Sequence, residues 1–262
     1  MFNFILSNKY VLKKIFHAPI EIFKLFKLKG EISGKKIFIL GSAPNPNLEL
    51  YSSRHVVVTI NGSAANAKEL GLNDSVMTVV DFELINKKVA LDKDVRSVII
   101  KNNLLNNIDL GSVVAIQSNN TLLGDPKILN ANIKSFFSIH RLTRKIIIKS
   151  ISKNNRLDHK DVSLVSTGAF ACALCFFLGA KEVVISGFSF LKEENFHPPS
   201  FYKTSELKFT NNTNKNADYK IDTRSHSLAD SSLISLLVIN GKKIKTGEKE
   251  VLPLTQNWGN KN

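Results

Sequence analysis

His226 has the side chain best suited to accept a proton near neutrality, because a free imidazole titrates at about pH 6.5. It lies in Arg224-Ser-His-Ser-Leu-Ala-Asp230, where an irregular stretch gives way to a helical pattern. A histidine placed there can take a proton from an alcohol. The same position also suits a surface or capping residue. A second set of residues has the types that hold anions. Lys36 to Leu40 reads as a strand and runs directly into Gly41-Ser42-Ala-Pro-Asn45. Ligands of parallel sheets bind beyond the carboxyl ends of the strands, and a glycine there lets the backbone approach a phosphate closely. Asn61-Gly62 follows a second strand pattern and Asp81 a third, so small or polar groups recur at what should be one rim. Ser166-Thr167-Gly168 precedes the most apolar helical run of the chain, and a helix N-terminus offers unpaired N–H groups and a positive dipole to an anion. Each of these residues also has a purely conformational reading, since Gly, Asn and Asp dominate turns and Ser or Thr caps helices.

The elements that would carry these residues are short Val- and Ile-rich runs separated by helical patterns. Strands are predicted at Lys36 to Leu40, His55 to Ile60, Ser75 to Val80, Arg96 to Ile100, Ser112 to Ile116, Glu182 to Ser186 and Lys242 to Lys245. Helices are predicted at Ser63 to Leu70, Phe82 to Leu91, Thr167 to Leu178 and Leu228 to Ile239. Continuous apolar strands interleaved with helices point to a doubly wound α/β fold, its mainly parallel sheet covered on both faces. Lys134 to His159 reads as a basic, Ile-rich helical segment that exposes Arg141, Arg144, Lys145 and Lys149, either as part of a basic surface or as a solvated face. The stretch from about 188 to 225 has little periodicity and contains Pro198-Pro199, the mark of a functional loop or lid.

With 262 residues, 43% hydrophobic and 22% charged, the chain has ample material for a core, which excludes disorder and mini-protein scaffolds. Its net charge of +14 implies an anionic partner: nucleic acid, acidic lipid headgroups or a phosphorylated small molecule. No zinc finger, RNP-like aromatic stripe or helix-turn-helix pattern accompanies the charge, which argues against nucleic acid. Cys172 and Cys175 sit in an apolar run with no second pair to complete a zinc or redox site, and read as core thiols. Asp92-Lys-Asp94 satisfies the D-x-D pattern of metal-dependent transferases, yet it follows a helical pattern and reads as a lysine-rich surface turn. Residues 1–34 form a basic amphipathic arm with Phe2, Phe4, Phe16, Phe23 and Phe26 among lysines. The arm suits an anionic membrane surface, or equally packing on the domain formed by 35–262. With no run of 18 apolar residues and no signal-peptide pattern, the expected location is the cytoplasm, peripheral on the inner face of the cytoplasmic membrane.

Taken in order, strand-Gly41-x-x-Pro44, Ser166-Thr167-Gly168 before an apolar helix, Leu178-Gly-Ala-Lys-Glu-Val-Val-Ile-Ser-Gly-Phe-Ser-Phe190, a lid and Ser225-His226-Ser227 resemble the bacterial sialyltransferases of glycosyltransferase family 42. The resemblance covers roughly 36 to 246 and is most specific over 166 to 190 and at His226. It implies an inverting transferase that needs no metal or cofactor, with a CMP-activated sialic acid donor and a glycan or glycolipid acceptor. On that resemblance Gly41 and Ser42 lie against the nucleotide, and Asn61 and Asp81 lie near the cytidine phosphate or sugar. Ser166, Thr167 and Gly168 surround the donor, and His226 is the base. Four positions depart from the family: Ser42 and Asp81 replace asparagines, Leu164 an arginine and Leu191 a tyrosine. Either His197, Tyr202 or Lys203 of the lid then stabilises the departing phosphate, or the donor is another nonulosonic acid or a different phosphate-activated sugar. Without turnover, the chain would be a nucleotide-binding module.

Overall fold

Four runs of the sequence have apolar residues on both faces of an extended chain, and a strand of that kind must be covered from both sides. They form β1 (Lys36–Leu40), β2 (Val56–Ile60), β3 (Ser75–Asp81) and β6 (Glu182–Ser186). The computed structural model describes residues 17–41, 46–81, 108–117, 132–152, 165–188 and 223–247, apart from the side chains of 223–228. Within it β4 (Asp109–Ile116), β5 (Asn132–Ile139) and β7 (Ile244–Thr246) complete a seven-stranded sheet of order β5-β4-β3-β2-β1-β6-β7. Every neighbouring pair is parallel. The chain moves outward from β1 to β5 and then returns to place β6 on the other side of β1. The direction of winding therefore reverses between β1 and β6, the switch point at which open α/β sheets bind ligands.

Helices cover both faces. On one side α3 (Ser63–Glu69) presents Ala67 to Phe38, Leu40, Val57, Leu72 and Val184. The larger core, on the other side, is built on α5 (Thr167–Phe177), which is buried from Gly168 to Phe176. Beside it lie α4 (Arg141–Ser152) and α6 (Thr223–Ile239). Asn240, just after α6, donates from its side chain to the carbonyl of Ser152 at the end of α4. Cys172 and Cys175 are fully buried free thiols of this core, and burial pushes both well above the usual thiol range. They are packing residues, as their apolar surroundings in the sequence suggest.

Residues 17–32 run along the same face. A helix α1 (residues 17–25), a 3₁₀ turn (Phe26–Leu28) and α2 (Lys29–Ile32) bury Ala18, Leu25, Leu28 and Ile32. The Glu21 carboxylate accepts from the backbone N–H of His140 at 2.9 Å and from the Thr143 hydroxyl. Lys134 pairs with Glu31, and Phe26 stacks on Phe177 with ring centroids 5.5 Å apart. Glu31 and Ile32, near the end of the arm, thus close a helix.

Two expectations need correction, and two others lie outside the described residues. Asn132–Ile139 is a strand and not the beginning of a helix: Ile133, Phe136, Phe137 and Ile139 prefer a pleated surface, and β4 supplies the partner that a helix reading ignores. The break at His140 carries neither Gly nor Pro, so strand and helix run together in the sequence. The last helix begins at Thr223, five residues before the predicted Leu228, and places His226 inside its opening turns. The strand predicted at Arg96 to Ile100 and the helix at Phe82 to Leu91 lie outside the described residues.

Candidate functional site

At the switch point the ends of β1 and β6 approach more closely than side chains would allow. The Gly41 N–H donates to the Ser186 carbonyl at 2.8 Å, and a β-carbon on Gly41 would fall 2.2 Å from the Gly187 carbonyl oxygen. Gly187 has φ +72°, a left-handed conformation that glycine adopts without steric cost. Its neighbour Phe188 places its ring where a β-carbon on Gly168 would come within 2.4 Å. Gly41, Gly168, Gly187 and Phe188 are therefore one close-packed unit joining the end of β1, the end of β6 and the start of α5. The missing β-carbon of Gly41 admits the Gly187 carbonyl, a contact between residues far apart in sequence.

The next two strands end on the same rim. Ser63 accepts from Ile60 N–H at 2.8 Å and donates to the Leu40 carbonyl at 2.7 Å, which ties the ends of β1 and β2 together. Asn61 has φ +52° and is buried, a strained combination that asparagine tolerates better than most residues. Its N–H donates to Val79 O at 2.9 Å and its Oδ1 accepts from Asp81 N–H at 3.1 Å. Asn61 and Asp81, singled out separately in the sequence, are thus hydrogen-bonded neighbours at the ends of β2 and β3.

Ser166 caps α5: its hydroxyl accepts from Ala169 N–H at 3.2 Å. Its own N–H donates to Asp230 Oδ1 at 2.7 Å, which joins the start of α5 to α6. His226 stands one turn before Asp230 on that helix. Ser42, His197, Tyr202, Lys203, Leu164 and Leu191 lie outside the described residues, as do Asp92 and Asp94. Among the described residues no three His, Cys, Asp or Glu side chains gather as a metal site.

Arg144 is the residue that sequence reasoning places wrongly. It is only partly exposed, with its Nε closed off from solvent. Its guanidinium donates to the carbonyl of Val165, lies 3.4 Å from that of Ser166, and sits 5.5 Å from the centroid of the Phe170 ring. Burial is the main influence on its acidity and draws its pKa down to about 10, opposed by the charges of Asp230 and Asp81 and assisted by Arg141. It remains a cation at neutral pH. The signal was present in the spacing: Arg144 shares a helix face with Ile147, Ile148 and Ile151, all three buried.

No family model and no curated protein matches the chain. A solved structure does: the monofunctional α-2,3-sialyltransferase Cst-I from Campylobacter jejuni, at 15% identity and a TM-score of 0.51, over 87% of this chain and 82% of that one. The two share a fold. The sialyltransferase CstII from Campylobacter jejuni, in complex with CMP-3FNeuAc, is a more distant match at 14% identity and a TM-score of 0.47, over 81% of this chain and 80% of that one. In this Cst-I-like fold the expected doubly wound α/β architecture is realised with an all-parallel sheet, and its switch point is the Gly41–Gly187 contact.

Proposed function

We propose that this protein is an inverting, metal-independent glycosyltransferase that moves sialic acid or a related nonulosonic acid from a CMP-linked donor to a hydroxyl of a glycan or glycolipid. One observation carries the reading: Gly41, Asn61, Asp81 and the Ser166-capped start of α5 share the carboxyl rim of a sheet whose fold is also that of a sialyltransferase. The rim supplies N–H groups and a helix dipole suited to the phosphate and carboxylate of such a donor.

In this mechanism His226 takes the proton of the acceptor hydroxyl as its oxygen attacks the anomeric carbon from the face opposite the phosphate. The bond from that carbon to the phosphate oxygen breaks, and CMP departs with the electron pair. The phosphate is already a good leaving group, so the protein's task is to orient the two substrates and move one proton. Ser42, Leu164 and Leu191 favour keeping a second donor class in view, a different phosphate-activated sugar of surface-polysaccharide synthesis. Isothermal titration with CMP, UMP, GMP and AMP tests the nucleotide. CMP is expected to bind below about 1 mM and more tightly than the others. A purine preference, or no binding by any of the four, would overturn the donor assignment.

The acceptor is proposed to lie at an anionic membrane surface. Ile20, Phe23 and Phe26 are 51%, 73% and 43% exposed along the outer side of residues 17–28, with Lys24 and Lys27 exposed beside them. That pairing of apolar and basic groups suits insertion at headgroup level. Among the described residues no helix is long and apolar enough to cross a membrane. Sedimentation with phosphatidylglycerol-containing vesicles is expected to recover the full chain, and the double variant Ile20→Ser/Phe23→Ser is expected to bind about tenfold more weakly. Equal recovery of both proteins, or no dependence on anionic lipid, would show that this face does not dock.

A further inference from the structure

We propose that the corner of the sheet at which β1, β6 and β7 begin is a lipid-docking surface that takes the headgroups of an anionic bilayer. The inference deepens the membrane reading of residues 17–28, on which it rests for the arm's share of the contact. Three strand starts bring together lysines that are far apart in sequence. The Lys181 N–H donates to the Lys35 carbonyl and the Val183 N–H to the Lys243 carbonyl, each at 2.9 Å. Lys36 stands in register beside Glu182. Lys35, Lys36, Lys181 and Lys243 are all exposed.

Among the described residues of these three strand starts Glu182 is the single carboxylate, and it is engaged by Lys245 at 3.0 Å. The acids of the same edge, Asp74 before β3 and Asp109 at the start of β4, stand on the other half of the sheet. Like charges gathered in this way repel one another, and a negative surface held against them relieves that repulsion. The apolar border directs the choice to a bilayer. Phe177, at the end of α5, stacks on Phe26 of the arm, which is 43% exposed. Its neighbour Phe176 carries the Lys242 ammonium 5.6 Å from its ring centroid. Ile239, at the end of α6, is 52% exposed. Apolar groups beside lysines match the acyl boundary and headgroups of a bilayer, whereas a nucleic-acid backbone offers the lysines its phosphates and the apolar groups nothing.

The candidate rim lies at the opposite, carboxyl ends of β1 and β6. At about 3.3 Å per residue these short strands put about 15 Å between corner and rim. A bilayer against the corner therefore leaves the rim open, and CMP affinity is expected to be the same with and without vesicles.

Sedimentation of full-length proteins with phosphatidylglycerol-containing vesicles, with neutral phosphatidylcholine vesicles as the reference, tests the corner. Lys181→Gln/Lys243→Gln is expected to bind the anionic vesicles ~30-fold more weakly with an unchanged Tm, at roughly fivefold for each basic residue near a charged surface. Lys181→Arg/Lys243→Arg should stay within about twofold of the original chain, because the lipid reads the charge. Undiminished binding by the glutamine variant overturns the proposal; if Ile20→Ser/Phe23→Ser is weakened in the same assay, the arm alone docks. Loss in the glutamine variant with an unaffected Ile20→Ser/Phe23→Ser keeps the corner and rejects the arm. A chain that ignores the vesicles but binds double-stranded DNA through Lys181 and Lys243 makes the corner a nucleic-acid surface and overturns the lipid assignment. Loss of CMP affinity on vesicles would mean that the bilayer covers the rim, and would likewise overturn docking through the corner. CMP titration without vesicles reads the donor assignment separately, so its failure leaves the lipid result intact.

Discussion

His226→Ala is expected to lower the turnover of sialyl transfer by about 10²–10⁴-fold, the usual worth of a positioned general base, and to leave CMP affinity nearly unchanged. The reason lies in how α6 is held. Asp230, one turn beyond His226, accepts the Ser166 N–H at 2.7 Å and so joins this helix to the start of α5. The end of α6 is anchored independently through Asn240 and Ser152. The backbone of α6 at His226 is therefore tied to the start of α5 at the candidate rim. With His226 as base, only its neutral imidazole can take up the acceptor's proton. Initial rates and CMP titrations across pH 5 to 9, on the original chain, His226→Ala and His197→Ala, decide the matter. Wild-type turnover in His226→Ala together with loss in His197→Ala would move the base to the lid. Two active variants would end this mechanism.

Gly41→Ala is the substitution with the largest expected effect on stability. The added β-carbon would stand 2.2 Å from the Gly187 carbonyl oxygen and 2.8 Å from its carbon, both main-chain atoms at the centre of the sheet. Neither can rotate away, and Phe188 closes the remaining side at 2.9 Å. The strands must part or β1 must shift, at about 3 kcal/mol or more. For a chain of this size that lowers Tm by roughly 2–4 °C per kcal/mol. Because the displaced atoms form the switch point, CMP affinity should fall in the same variant. Gly30→Ala is the matched control: in α2 an added β-carbon meets nothing within 4 Å, and helix propensity favours alanine. Differential scanning calorimetry should show Gly30→Ala at or above the original Tm and Gly41→Ala well below it. Equal melting of the two would mean that β1 and β6 are not packed as described.

Much of the architecture is written locally. β1, β6, α3 and α5 are predicted to within a residue, because runs such as Ile37-Phe-Ile-Leu40 and the apolar stretch after Ser166 allow few other conformations. The candidate rim was legible for the same reason: Gly, Asn and Asp at strand ends, and Ser-Thr-Gly before a helix, are signals of one to three residues. Where local preference and long-range pairing differ, the sequence misleads. Ser135-Phe-Phe-Ser-Ile139 becomes a strand because β4 offers it a parallel edge, and no pattern within those residues encodes that partner.

The residues by themselves determined the α/β class and the buried state of Cys172 and Cys175. Only the tertiary structure decided that β6 lies beside β1, that Gly41 faces Gly187, that Asn61 holds Asp81, and that Arg144 turns inward beneath α5. The physical reason is range. Helix and strand propensities, caps and turns act over a few residues. Strand order, by contrast, is set by crossovers that bring Asn47 and Ser186 into hydrogen-bonding contact across 139 positions. The acidity of the partly buried Arg144 is set first by its burial and then by carboxylates on a strand and a helix distant from it in sequence.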